Sequence, residues 1–239
     1  MTEVLVVDPD RAVRRSVGAA LRDRGYGVEV VRQLSGVAGA VRRHRPDVVI
    51  IDPTSGGAEV VLRRLHGLTD APIIVLAPSD DAWDKIAALD AGADDYVSKP
   101  FNVEEVLARL RVALRRTPIG ADPGPPPIVT TSFTVDVDDR RWLGQDGVEV
   151  RLTPVEWRIV EILVRHPGRL VSHEELLRAV WGTDEAGKAH YLRVHMAAIR
   201  RKVEPDPAHP RHFVTVPGIG LRFEPEPELV RTPGAAAPH

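Results

Sequence analysis

Cysteine is absent from the 239 residues. Disulfide scaffolds, thiolate zinc sites and cysteine nucleophiles are thereby excluded, and the absence suits a reducing compartment. Long apolar runs are absent too. The longest, Ala71 to Ala77, falls far below the ~18–20 residues that span a bilayer, so no membrane helix is expected. Met1-Thr2-Glu3 leads directly into a strand-like run, without a basic region, a long apolar stretch or a small-residue cleavage site. Export is not expected, and a cytoplasmic location is. There is also little excess charge. A formal net charge of −2 gives no global attraction to nucleic acid, so any such reading rests on where the charges lie. Hydrophobic residues at 43% and charged residues at 28% are ordinary for a globular chain and exclude wholesale disorder.

From Val4 to about Arg116, short β-branched runs alternate with amphipathic segments. The runs are Val4–Val7, Val28–Val31, Val48–Ile51, Ile73–Leu76 and Tyr96–Ser98. They lack polar alternation, as strands of a parallel sheet buried on both faces do. A five-stranded, doubly wound α/β domain over residues 1–118 follows. Thr117 to Pro127 is too dense in proline and glycine for a helix or a central strand, and residues 119–127 read as a stiff linker. Beyond it the pattern predicts a small antiparallel sheet from Ile128–Asp136, Arg141–Leu143 and Val148–Leu152. Two helices are announced by capping boxes at Thr153-Pro154-Val155-Glu156 and Ser172-His173-Glu174-Glu175. A third helix is expected over Ala189–Val203, and His212–Val216 and Leu221–Phe223 flank a hairpin turn. This order is an α+β winged helix over residues 128–225, with residues 226–239 read as a disordered tail.

In a parallel βα fold, function sits beyond the carboxyl ends of the strands. Asp8, Asp10, Asp52 and Lys99 all fall there. Carboxylates facing a lysine suit Mg²⁺-assisted acceptance of a phosphoryl group, because metal and ammonium neutralise the transferring oxygens. An ion-paired cluster at the strand ends explains the same residues, and spacing alone does not separate the two readings.

On the third predicted helix, Leu192, Met196, Ile199 and Val203 form one apolar stripe, and His190, Arg193, Ala197, Arg200 and Arg201 lie on the other face. Over residues 186–222 there are 7 basic residues against Glu204 and Asp206. A basic helix followed by a wing points to double-stranded DNA. Arg193 and Arg200 are the candidates for guanine edges, where a planar fork donates two parallel bonds. Arg201, Lys202, Arg211 and Arg222 are the candidates for phosphates.

The segments VLVVDPD, RPDVVIID, APIIVLAPSD and ALDAGADDYVSKPF resemble the CheY-like receiver domain of bacterial response regulators. LTPVEWRIVEILVRHPGRLVS and HYLRVHMAAIRRKVEPDPAHPRHFVTVPGIGLRFEP resemble the winged-helix domain of the OmpR/PhoB subfamily, above all its potassium-responsive branch. The resemblance covers about residues 3–116 and 128–225. It implies a DNA-binding transcription regulator, not an enzyme, with Asp52 as phosphoacceptor, Lys99 as phosphate-binding lysine, Asp8 in the acidic pair and Tyr96 as switch aromatic.

The departures bear on mechanism. Pro9 replaces the second acid of the pair, Ala77 replaces the hydroxyl residue that contacts the phosphoryl group, and Gly56 replaces the usual proline. Mg²⁺ at Asp8 and Asp52 therefore lacks a direct ligand, and Asp10 is expected to cap a helix. The leading reading is an atypical regulator acting without phosphorylation. The competing one is a conventional regulator phosphorylated on Asp52 by a sensor histidine kinase. The resemblance further implies a homodimer through the helix 4, strand 5 and helix 5 face, with Lys85, Asp94, Asp95, Glu105, Arg109 and Arg116 around an apolar centre of Ile86, Leu89 and Ala108. It also implies a contact with RNA polymerase through Trp181 to Gly187, and reduced minor-groove readout because Pro217 occupies the wing turn.

Overall fold

A computed structural model describes residues 1–54, 57–114, 126–182 and 189–225. The expected linker lies largely outside the described residues, as do the tail, Gly56, Arg116 and most of the 181–187 loop. The N-terminal part runs β1 (Glu3–Val7), α1 (Arg11–Arg22), β2 (Gly27–Val31), α2 (Val37–His44), β3 (Val48–Ile51), α3 (Ala58–His66), β4 (Ile73–Ala77), α4 (Ala82–Asp90), β5 (Asp95–Ser98) and α5 (Val103–Ala113). Its strands are parallel in the order β2-β1-β3-β4-β5.

The unbroken β-branched strands are buried on both faces. Val4, Val6, Ile50, Ile74 and Val97 pack with Val17 and Leu21 of α1 and Val106 and Leu110 of α5. Leu5, Val49, Ile73 and Val75 pack on the other side with α2, α3 and α4. A single turn of tighter helix, Leu34–Gly36, precedes α2.

The C-terminal part continues with β6 (Ile128–Val129), β7 (Phe133–Asp136), β8 (Arg141–Gly144), α6 (Pro154–Val164), β9 (Leu170–Ser172), α7 (His173–Trp181), α8 (Ala189–Val203), β10 (Phe213–Val216) and β11 (Gly220–Phe223). Two expectations are corrected here. Residues 148–152 form no regular strand, and only a bridge between Leu143 and Glu149 joins them to β8. Leu170–Ser172, not expected as a strand, pairs with β11 and makes the wing a three-stranded sheet. Gly220 permits that pairing, since a Cβ there would stand 2.0 Å from the Val171 carbonyl oxygen.

The first capping box forms as read, whereas the second forms only its N-cap half. Thr153 accepts from the Glu156 amide while Glu156 accepts from the Thr153 amide, and Ser172 accepts from the Glu175 amide. Among the described residues, no helix is long and apolar enough to cross a membrane.

Candidate functional sites at the strand ends and on the winged helix

β1, β3 and β5 deliver Asp8, Asp52 and Lys99 to one edge of the sheet. Lys99 Nζ lies 2.7 Å from Asp8 Oδ2 and 2.7 Å from Asp52 Oδ2, and both carboxylates are buried. Their remaining oxygens are also engaged. Asp8 Oδ1 accepts from the Asp10 amide at 2.7 Å, and Asp52 Oδ1 accepts from the Thr54 amide at 2.9 Å and from the Thr54 hydroxyl. Burial pushes Asp8 above the usual carboxylate range, although Lys99 and the Asp10 amide pull it back. Burial also pulls on Lys99, but its bonds to Asp52 and Asp8 outweigh this and hold it above its ordinary value.

Asp10 caps α1 by accepting from the Ala12 amide at 2.7 Å. The carbonyls of Asp8 and Pro9 accept from Arg14. A divalent cation finds few ligands here: Pro9 supplies none, Asp10 is turned onto its helix, and the two remaining acids share one ammonium. Among the described residues no group of three acids or histidines could hold a metal. Ala77 ends β4 without a hydroxyl. Tyr96 is packed inward, its hydroxyl donating to the Ser79 carbonyl at 2.9 Å, and burial pushes it up to about 12.

The described charged residues expected at the α4–β5–α5 face are satisfied within the chain. Arg109 donates to both oxygens of Asp95 at 2.9 Å and to Glu105 at 2.6 Å. Lys85 pairs with Asp80. Asp94 is only 1% exposed and accepts from the Ile73 amide at 2.7 Å and from the Val155 amide at 3.0 Å. Burial raises it to about 7. Leu89 is buried, Ile86 is half-buried and Ala108 is exposed.

On α8 the predicted stripe of Leu192, Met196, Ile199 and Val203 is buried, and Arg193 and Ala197 are exposed. They border a groove of about 540 Å³ that runs to the wing between His173, Met196, Arg200 and Thr215. Arg200 is tied back to that wing. Its Nη2 lies 2.6 Å from the Phe213 carbonyl and 2.6 Å from Thr215 Oγ1, and burial holds its guanidinium below the usual value.

Lys202 pairs with the buried Glu156 at 2.6 Å, Arg201 with Asp90 of α4, and Arg222 with Glu224 at 2.5 Å. Arg211 is exposed near the wing base, and the His190 ring meets Tyr191 edge-on at 4.5 Å. Sequence reasoning did not find the reach of Arg201 to Asp90 or of Arg158 to the Val112 carbonyl. No local signal encodes either contact, because both depend on how the two domains dock.

Comparison with known proteins fits this geometry. Residues 4–111 match the response regulator receiver domain, and residues 147–223 match the family described as transcriptional regulatory protein, C terminal. The chain is 48% identical over 227 residues to the transcriptional regulatory protein KdpE of Mycobacterium tuberculosis, covering 94% of this chain and 100% of the relative. It is 44% identical over 228 residues to the KDP operon transcriptional regulatory protein KdpE of Escherichia coli, covering 93% and 99%. Among solved structures, a RitR mutant shares the fold with a TM-score of 0.77 at 18% identity, over 94% of this chain and 100% of that one.

Proposed function

Because this chain belongs to the OmpR/PhoB-type, KdpE-like response regulators, a receiver domain followed by a winged-helix DNA-binding domain, we propose that it regulates transcription without phosphorylation of Asp52. It binds tandem or direct-repeat double-stranded DNA in the cytoplasm, as a homodimer through the α4–β5–α5 face. Its operator is of the kind named for the Escherichia coli relative, a site at a KDP operon. RNA polymerase meets the 181–187 loop, and no sensor histidine kinase is required.

The observation that carries this reading is the closed triad of Asp8, Lys99 and Asp52. One ammonium already bridges both carboxylates, Pro9 leaves the metal without its ligand, and Ala77 has no hydroxyl to follow a phosphoryl group. A modification with no differential contact between two states shifts no equilibrium. For the DNA-binding part, support comes from Arg193 and Ala197, which α8 holds exposed beside the wing.

The test is to incubate the protein with acetyl phosphate and Mg²⁺, then measure intact mass and operator affinity. The expected outcome is little phosphoprotein, and an Asp52→Asn variant that binds the operator like the parent. Stoichiometric phosphorylation with a tenfold affinity gain, about 1.4 kcal/mol, would instead establish the conventional phosphoacceptor.

A further inference from the structure

At the end of the parallel sheet opposite Asp8, Asp52 and Lys99, a cavity of about 330 Å³ opens between the receiver and the winged helix. Pro46 and Pro72, just before β3 and β4, wall it on the receiver side, and Pro154 at the start of α6 walls it on the other. Three arginines line it from three separate places. Arg45 caps the C-terminus of α2, Arg140 lies in the turn between β7 and β8, and Arg158 lies on α6.

Arg158 is engaged, donating to the Val112 carbonyl at 3.0 Å. Arg45 and Arg140 are exposed, and neither side chain bonds or pairs with another described residue. They share a second feature. Among the described residues they are the two non-glycine positions with positive φ, 43° at Arg45 and 51° at Arg140. In that conformation a Cβ crowds the following carbonyl oxygen, a strain that glycine would not carry. Backbone strain of this kind gathers at ligand clamps, and both strained residues border the same space.

The neighbouring cavity gives a contrast. It shares Asp70 and Pro154, but its Arg63, Arg201 and Lys202 are already held by Glu59, Asp90 and Glu156. In the first cavity the acids are Asp47 and Asp70, and Asp47 Oδ2 accepts from the Glu3 amide at 2.9 Å. Three guanidiniums against two carboxylates leave that lining short of negative charge.

We propose that this junction binds a compact phosphorylated anion, held between Arg45 of the receiver and Arg140 of the winged-helix domain. A planar guanidinium gives two parallel hydrogen bonds to phosphoryl oxygens, and two such forks from opposite sides suit a diphosphate. The volume lies at the small end of ligand cavities, ~300–1,000 Å³, and no described aromatic residue lines it to stack a base. A diphosphate-sized anion therefore fits better than a nucleotide. Because the two arginines belong to different domains, the anion ties one to the other. It acts as an input separate from Asp52, and the inference does not rest on how Asp52 behaves.

Inorganic pyrophosphate is the probe, with sulfate as the control, and the full chain is titrated by isothermal calorimetry without Mg²⁺. One site per chain is expected, with a rise in melting temperature, as for any ligand that binds only the folded state. Arg45→Ala and Arg140→Ala are each expected to weaken binding about tenfold, on the scale of a lost charge-assisted bond. Both should keep the fold, since neither side chain has a described partner to lose. Arg45→Lys keeps the charge without the fork and is expected to bind between the parent and Arg45→Ala. Asp70→Asn removes a negative charge from the lining and should tighten binding. Absence of saturable binding at millimolar pyrophosphate overturns the inference. Sulfate binding as tightly as pyrophosphate does so too, because the site would then take any anion. A loss in Arg45→Ala without one in Arg140→Ala overturns the shared site. Unchanged pyrophosphate affinity in both, together with a shallower salt dependence of operator binding, would give these arginines to DNA phosphates instead.

Discussion

Arg193 and Arg200 lie two turns apart on α8, yet their surroundings assign them different work. Arg193 is exposed at the groove, whereas the Arg200 guanidinium is spent on the Phe213 carbonyl and Thr215. Arg193→Ala is expected to cost about 1–3 kcal/mol at the operator and to relax preference at one base pair, as loss of a bidentate contact does. Arg200→Ala should loosen the wing and weaken all sequences alike. Titrations against a panel of single-base operator variants separate the two, and a base-specific loss from Arg200→Ala would refute the positioning role. At the strand ends, Lys99→Ala strands two buried carboxylates. A loss of about 3 kcal/mol in unfolding free energy is expected, as when one partner of a buried pair is removed. Urea denaturation followed by circular dichroism measures it.

Whole elements show where local rules sufficed. α6 begins where Thr153-Pro154-Val155-Glu156 says it should, because a capping box is a contest settled within four residues. Thr153→Ala is expected to lower stability by about 1 kcal/mol. Lys202, expected to meet phosphate, holds the buried Glu156 of that same box. Lys202→Ala should therefore lower the urea midpoint, and leave the salt dependence of DNA binding unchanged rather than reduced by roughly one phosphate. β9 escaped sequence reasoning because three residues have no period to read. It is a strand only because β11 lies beside it, and Gly220→Ala should unpair them by driving a methyl group into the Val171 carbonyl.

At the scale of the molecule, Asp94 couples stability to pH. Its carboxyl titrates at about 7 in the folded chain against 3.8 for an ordinary aspartate, so between those values the folded chain binds more protons than the unfolded one. Stability from this group is therefore fully present below about pH 4 and is lost as pH rises through 7. The melting temperature of the parent, compared with Asp94→Asn at each pH from 5 to 8, should fall relative to the variant as pH rises. A difference that does not change with pH would show that Asp94 stays ionised in the folded chain.

The sequence by itself determined the parts. Its unbroken β-branched runs require a sheet covered on both faces, a capping box starts α6 and a serine N-cap starts α7, and the stripe from Leu192 to Val203 orients α8, because each is fixed by interactions within a few residues. It also placed Asp8, Asp52 and Lys99 at strand ends, where β1, β3 and β5 bring them together. Only the tertiary structure decided which charges are free. Long arginine and lysine side chains take whichever acid or carbonyl the fold puts within reach, so Arg200 turns to the wing, Lys202 to Glu156 and Arg201 to Asp90. Asp94 meets Val155 across 61 residues of chain. Separations of that size carry no periodicity, and the docking of one domain on the other sets them.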